Sequence, residues 1–162
     1  MALTLTRRAR LALLLYATAA GIYAVDRITK WVVELRLSGR PPVDVIPGVV
    51  RLRFTTNTGG AFGLFGGQAW LFFGATAVVC AVIVVVSTSL QSRVSAVGLG
   101  LILGGALGNL TDRIVRGSGS SLNGRVIDFI DFRVWPVFNL ADAAIVIGAA
   151  LILLAGVKRR TE

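Results

Sequence analysis

Long apolar runs, separated by more polar stretches, dominate the chain. Four runs approach the roughly 20 residues that a helix needs to cross a bilayer, at residues 11–33, 70–92, 94–111 and 138–157. The segments 34–69 and 112–137 are richer in polar residues and glycine. The pattern predicts an α-helical polytopic membrane protein, a single domain of residues 1–162 with four transmembrane helices and two long loops.

The first apolar run has an alternative interpretation. Three arginines precede it and the small residues ATAAG lie within it, so it could be a secretory signal peptide. However, the run resumes after Asp26 and Lys30 with the apolar stretch WVV. Its removal would leave three spans, so we interpret it as the first transmembrane helix.

Basic residues near the ends of the runs predict the orientation of the helices. They precede the first run, lie between the second and third at Arg93, and follow the fourth at Lys158, Arg159 and Arg160. Positive charge close to the spans faces the cytoplasm. Both termini are therefore expected in the cytoplasm, and both long loops outside it.

The first long loop predicts a small sheet. Pro41, Pro42 and Pro47 prevent a helix, and residues 51–54 alternate between polar and apolar side chains, as in a half-buried strand. A glycine-rich turn follows at Asn57, Gly59 and Gly60. We expect a small β-rich extracytoplasmic region that lies on the membrane.

Composition supports lipid surroundings. Hydrophobic residues make up 55% of the 162 residues and charged residues 15%, more apolar side chains than a small soluble core can bury. The formal net charge is +9, but the arginines flank the spans or scatter through the loops without forming one basic face. We therefore expect membrane lipids, and no nucleic acid, as partners.

Residue counts exclude several kinds of catalysis. The chain has no histidine, which removes Ser-His and Cys-His catalysis and histidine-ligated zinc. The single cysteine, Cys80, falls midway along the second run, where it is interpreted as a small packing residue. A Ser-Lys pair would have to use Lys30, and no serine has a motif around it.

The third run combines a packing signal with polar residues. Three glycines at four-residue spacing form a groove on one helix face, where a neighbouring backbone can approach: Gly100, Gly104 and Gly108. At the outer end, Asn109 and Asp112 share a face, with Arg113 beside them. A solvated Asp-Arg pair at a helix end is the alternative to a functional role.

Two aspartates stand out by their surroundings. Asp128 lies among apolar residues in VIDFID, where burial tends to raise a carboxyl pKa. Asp142 follows Asn139 by three residues, the spacing of a helix cap and its third residue. Capping alone explains poorly an ionisable group at the hydrocarbon boundary, where charge is costly and usually functional.

The predicted topology places the polar residues of the helix ends and of the two loops at the outer face, where they can form one site. Two close carboxylates share a proton, so one can take a proton from water while the other donates a hydrogen bond to a scissile carbonyl. This is aspartyl protease chemistry, which needs no metal or cofactor. The residues alone do not decide between Asp112 and Asp128 as a member of the pair.

Five sequence blocks, in order, resemble the signature of lipoprotein signal peptidase, also called signal peptidase II: DRITKW, NTGGAFG, GGALGNLTDR, VIDFID and FNLAD. The resemblance implies a bacterial inner-membrane aspartyl endopeptidase with four transmembrane helices. It also implies that the enzyme cuts prolipoproteins just before their diacylglyceryl-modified cysteine, and that globomycin inhibits it.

The resemblance assigns Asp128 and Asp142 as the catalytic pair. Its supporting or substrate-binding polar residues correspond to Asp26, Lys30, Asn57, Asn109, Asp112, Arg113 and Asn139. Asp131 is unassigned. Two departures are Gly60, where the family more often has alanine, and an insertion at residues 118–124, which lengthens the link between Asp112 and Asp128.

Two other classes of function remain to be compared with this one. A small proton-coupled transporter would need acidic residues deep in several spans, whereas these cluster at one face. A structural assembly protein built on the glycine groove would leave the outer polar residues unexplained.

Overall fold

The computed structural model describes residues 6–58, 69–117 and 124–161. Its elements, in chain order, are α1 (Arg7–Leu37), β1 (Val43–Ile46), β2 (Val50–Asn57), α2 (Ala69–Val86), α3 (Arg93–Val115), β3 (Val126–Asp131) and α4 (Leu140–Thr161). The prediction of a mostly helical protein with a small sheet is confirmed. The predicted turn glycines Gly59 and Gly60, and residues 118–123 of the insertion, lie outside the described residues.

Helix α3 packs against the other three helices, and its glycines allow the close approach. A Cβ atom on Gly100 would lie 2.6 Å from the backbone oxygen of Leu15, and one on Gly104 would lie 2.5 Å from that of Ala19. Gly105, on another face, is equally close to the backbone oxygen of Ala141 in α4. The predicted groove is therefore confirmed, and it receives α1.

Replacement of Gly104 by alanine is expected to destabilise the protein by about 1–3 kcal/mol, because the added methyl group would force the α1 backbone away. Gly74→Ala in α2 is the matched control, since a Cβ there meets nothing within 4 Å. The comparison is made by thermal unfolding in detergent micelles. A Gly104→Ala protein as stable as Gly74→Ala would contradict the packing of α1 on this groove.

Many large apolar side chains point outward from the helices. Exposed examples are Leu13 and Ile28 on α1, Val85 on α2 and Leu153 on α4. Within the described residues, α1 and α3 are long and apolar enough to cross a membrane. The shorter apolar stretches are Phe73–Ser89, most of which lies in α2, and Leu140–Gly156 in α4. An apolar outer surface of this kind is suited to lipid rather than to water.

Helices α1 and α3 extend beyond the predicted spans 11–33 and 94–111, whereas α2 ends at Val86, before the predicted end at residue 92. Asp112 and Arg113 were expected to open the second loop, 112–137, but they lie in the last turns of α3. The hydropathy of the chain falls at residue 112, yet the Asp112 side chain is fully buried and ion-paired, so the helix continues. At 1.5 Å per residue, the 31 residues of α1 reach about 46 Å, longer than a hydrocarbon core of about 30 Å.

The three strands form one antiparallel sheet in the order β1-β2-β3, which confirms the predicted strand at residues 51–54. Val33, near the end of α1, packs against Ile127 and Phe129 of β3. The sheet therefore sits over one end of the helices. We expected Asp128 to arrive on a loop, but it lies in β3, opposite Thr55 of β2.

Candidate active site

Asp128 is held in β3 between two buried neighbours, Ile127 and Phe129. Its own exposed fraction is 3%. The side-chain amide of Asn139 donates a hydrogen bond of 2.7 Å to Asp128 Oδ1, and the side chain of Asn57 also hydrogen-bonds this carboxyl group. Burial, followed by the negative charge of Asp142, raises the pKa of Asp128 to about 6.

Asp142 lies in the first turn of α4, where it forms a reciprocal cap with Asn139. The backbone N–H of Asp142 donates to Asn139 Oδ1 at 3.0 Å, and the backbone N–H of Asn139 donates to Asp142 Oδ2 at 3.1 Å. The other carboxylate oxygen of Asp142 accepts a 2.8 Å bond from Asn109 Nδ2. The cap that the spacing predicted is therefore present, and the carboxylate also has a partner on α3.

Asn139 connects the two carboxyl groups. It is fully buried, and it donates through its side chain to Asp128 and through its backbone to Asp142. Its side-chain nitrogen also lies 3.2 Å from Asn109 Oδ1 and 3.2 Å from the backbone oxygen of Ile127. A side chain with this many buried partners has one favourable orientation, so it fixes both aspartates relative to each other.

A second polar layer lies beneath the two aspartates, centred on Lys30 of α1. Lys30 Nζ lies 2.9 Å from Asp26 Oδ2, 3.1 Å from Asp112 Oδ2 and 2.8 Å from Asn109 Oδ1. The side chains of Lys30, Asp26 and Asp112 are completely buried. The predicted pairing of Asp26 with Lys30 is thus present, and Lys30 reaches the aspartates of the site through Asn109.

The same layer anchors the elements that carry the site. Asp26 Oδ1 accepts a 3.2 Å bond from the backbone N–H of Ala141 at the start of α4. Asp112 Oδ2 accepts a 3.3 Å bond from the backbone N–H of Ile127, next to Asp128. Asp26 and Asp112 therefore position backbone on either side of the site, and Gly108 leaves room for the Asp26 carboxylate, where a Cβ would collide with it.

Arg113 is the cation next to the pair. It is 8% exposed, it lines the cavity described below, and its positive charge acts on Asp128, Asp142 and Asp112. It does not form the solvated pair with Asp112 that we considered as an alternative, because Asp112 is buried and pairs with Lys30 and Arg27. An arginine in this place favours negative charge on the two aspartates.

A cavity of about 480 Å³ opens beside the two aspartates. Its polar lining consists mainly of predicted site residues: Asn57, Asn109, Arg113, Asp128 and Asp142. The rest is largely apolar and comes from α2, α3, β3, α4 and the segment 135–138. The structure thus brings five predicted residues to one surface, while Asn139, Asp26, Lys30 and Asp112 support that surface from behind.

Three charged residues next to the site were not identified from the sequence. Arg27 pairs with Asp112, and Arg116 makes a two-pronged contact with Glu34 at 2.6 and 2.7 Å. Arg116 also lies 3.4 Å from Asp112. The four-residue spacing of Asp112 and Arg116 was a usable local signal, but the pairing with Glu34 joins two helices and has no local signature.

Comparisons with known proteins match most of the chain. The family model for signal peptidase (SPase) II matches residues 18–158. The lipoprotein signal peptidase of Desulfitobacterium hafniense is 39% identical over 145 residues, covering 88% of this chain and 91% of that protein. The enzyme of Streptomyces coelicolor with the same name is 43% identical over 152 residues, covering 92% of this chain and 72% of that protein.

Two solved structures have a similar fold. A bacterial membrane enzyme determined by the in meso method at 2.3 Å resolution is 28% identical, with a TM-score of 0.76, and the match covers 89% of this chain and 87% of that one. A second such structure, at 1.9 Å, has a TM-score of 0.74 at 28% identity, covering 87% and 90%. The family model covers most of the chain, so this protein belongs to the signal peptidase II family and is a membrane peptidase.

Proposed function

We propose that the protein removes the signal peptide from diacylglyceryl-modified prolipoproteins, cutting just before the lipidated cysteine. The family match and the names of the relatives support this substrate class. We further propose that the protein works in the bacterial cytoplasmic membrane, with four spans, both termini in the cytoplasm and the site at the extracytoplasmic face. The outward apolar surface of the helices supports this placement.

The observation that carries the proposed chemistry is the buried bridge from Asn139 to both Asp128 and Asp142. It supports an aspartic mechanism in which the two carboxyl groups share one proton. The ionised aspartate takes a proton from water, whose oxygen attacks the scissile carbonyl, while the protonated aspartate donates a hydrogen bond to the carbonyl oxygen. The tetrahedral intermediate then collapses, and the amide nitrogen leaves with a proton from the pair.

The raised pKa of Asp128 fits a mechanism in which one aspartate is ionised and the other is protonated. With its pKa near 6, Asp128 can hold or release a proton close to neutral pH, which a carboxyl group of ordinary pKa does poorly. Arg113 opposes the build-up of negative charge, and Asn57 and Asn109 hold the aspartates from the sides. We propose supporting roles for these three residues, for Asn139, and for the layer of Asp26, Lys30 and Asp112.

The shape of the cavity supports a substrate that is mostly apolar. Its polar end contains the two aspartates, and its remaining walls include Val79, Ile102, Ile145 and Val146 from three helices. Such a cleft accepts a peptide bond at one end and apolar side chains or acyl chains at the other. We propose that membrane lipids surround it and that globomycin inhibits the enzyme by binding there. The transporter alternative receives no support from the family match.

Cleavage of a diacylglyceryl-modified prolipoprotein tests this function. The purified enzyme is expected to shorten the lipidated substrate in a gel-shift assay, and globomycin should prevent the shift. The unlipidated precursor should be cut at least about 100-fold less efficiently, because each acyl methylene group placed in the bilayer is worth about 0.8 kcal/mol. Equal cleavage of both precursors would show that the lipid is not recognised.

A further inference from the structure

The loop at residues 132–137, between β3 and α4, forms one wall of the cavity. Trp135, Pro136 and Val137 line it, on the same surface as Asp128 and Asp142. The tip of the loop is exposed: the exposed fraction is 92% for Val134 and 61% for Trp135. The position of this wall therefore depends on how the two ends of the loop are held.

The end nearer α4 is held by Phe138. Its backbone N–H donates to the backbone oxygen of Ile130 at 3.1 Å, and its own oxygen accepts from Ile130 N–H at 2.8 Å. The rings of Phe132 and Phe138 stack with their centroids 5.6 Å apart. These contacts close the base of the loop, but they do not involve Arg133 in its first turn.

The end nearer β3 is held by Asp131, the acidic residue that the family resemblance leaves unassigned. Its exposed fraction is 3%. Oδ1 accepts a 2.7 Å bond from the backbone N–H of Arg133, and Oδ2 accepts a 2.8 Å bond from Arg51 Nε and lies 3.0 Å from Arg53 Nε. Arg51 is also the partner of Asp131 in the β2–β3 register. One carboxylate thus joins the sheet to the first turn of the loop.

Arg133 shows that this turn is held in an unfavourable backbone conformation. Its φ is 64°, and among the described residues other than glycine it alone has a positive φ. Such a conformation persists only where the surroundings maintain it. Its guanidinium group contacts Asp44 at 2.7 Å, but both side chains are well exposed, so this pair contributes little. The bond from its N–H, by contrast, is made to the buried carboxylate of Asp131.

We propose that Asp131 is a positioning residue for the peptidase reaction: it fixes the 132–137 loop so that Trp135 contacts the apolar part of the substrate. This inference rests on the proposed function. Asp131 is not among the residues that line the cavity, so it acts through the loop. The contact is with substrate rather than with the reacting atoms, so its loss affects binding more than chemistry.

Steady-state kinetics of the purified full-length enzyme on a lipidated prolipoprotein tests the proposal. Asp131→Ala and Trp135→Ala are each expected to raise KM about fivefold or more, with kcat within about twofold of the parent. The KM of the double variant should be no higher than that of the more impaired single variant, because both changes remove the same contact of Trp135 with substrate. Unchanged KM in both, a fall in kcat alone, or additive effects would overturn the proposal.

Arg133 supplies a matched pair of variants that leaves Asp131 in place. Glycine accepts a positive φ without strain, so Arg133→Gly should keep KM within about twofold. Valine is β-branched and resists this conformation, so Arg133→Val should raise KM as Asp131→Ala does. Should Asp131→Ala fail to fold, the Arg133 pair decides the question, and equal KM values for Arg133→Gly and Arg133→Val would overturn the proposal.

Two substrate series identify what Trp135 contacts. If it contacts an acyl chain, shortening the acyl chains removes the difference in KM between the parent and Trp135→Ala. If it contacts the signal peptide, alanine in place of the residues before the cysteine removes that difference. A difference that survives both series would overturn the contact. A parent enzyme that cuts nothing would contradict the proposed function, whereas a parent that cuts, with variants of unchanged KM, would contradict only this inference.

Discussion

Asp128→Asn and Asp142→Asn are each expected to lower cleavage of a lipidated prolipoprotein by about 10³-fold or more, with little change in KM. Asparagine keeps the shape and can still accept from Asn139 and Asn109, but it cannot exchange a proton with water. The pair acts as one unit, so the double variant should be about as impaired as either single variant. The measurement is kcat on purified protein, with exposed Asp44→Asn as the control.

The stability of Asp128→Asn shows whether the variant is folded, because its stability is expected to rise while its activity falls. Burial and the charge of Asp142 raise the pKa of Asp128 from 3.8 to about 6, so the folded protein binds more protons than the unfolded chain between about pH 4 and pH 6. The stability of the parent therefore falls as the pH rises through this range. Asparagine has no proton to lose and avoids that loss.

Asp128→Asn should consequently be more stable than the parent above pH 6, by on the order of 2–3 kcal/mol, and the gain should disappear below about pH 4. Thermal unfolding in detergent across this pH range measures it. An Asp128→Asn protein that keeps near-normal turnover, beside an inactive, folded Asp112→Asn protein, would move the catalytic role to Asp112.

Lys30→Met is expected to have the largest effect on stability, with a loss of about 3–5 kcal/mol. It removes the cation shared by Asp26, Asp112 and Asn109, and leaves two carboxylates without it in a site closed to water. The yield of folded protein and the thermal midpoint in detergent measure the effect. Arg36→Met, at an exposed position on the same helix, should leave both nearly unchanged.

The double variant Lys30→Met/Asp26→Asn distinguishes loss of pairing from loss of packing. Because Asp26 becomes neutral, the double variant should be more stable than Lys30→Met alone. A Lys30→Met protein that folds normally but does not cleave substrate would instead give Lys30 a role in the chemistry.

The features that the sequence predicted well are local. The cap between Asn139 and Asp142 and the pair of Asp26 with Lys30 depend on three- and four-residue spacing within one helix, which can be read without the fold. The glycine groove is local in the same sense. Its extra function at Gly108, leaving room for the Asp26 carboxylate, could not be foreseen because it depends on how α1 packs.

The features that it missed depend on contacts between distant segments. Residues 126–131 form a strand that is buried along nearly its whole length, so they show no alternation by which a strand could be recognised. The position of Asp128 follows from pairing with β2, more than 70 residues earlier in the chain. The end of α3 was placed too early because a hydropathy scale scores every aspartate as polar, including a buried, ion-paired one such as Asp112.

The layer around Lys30 also determines the electrical balance of the site. Beneath and beside the two aspartates lie the carboxylates of Asp26 and Asp112 and the cations of Lys30, Arg27 and Arg113, an excess of one positive charge to which the Arg116–Glu34 ion pair adds none. An aspartate pair that shares one proton carries one negative charge, so the whole group is neutral. Hydrolysis of a peptide bond then releases one carboxylate and one amine, which is largely protonated at neutral pH. Each turnover therefore begins and ends close to electroneutrality, which a site embedded in apolar surroundings requires.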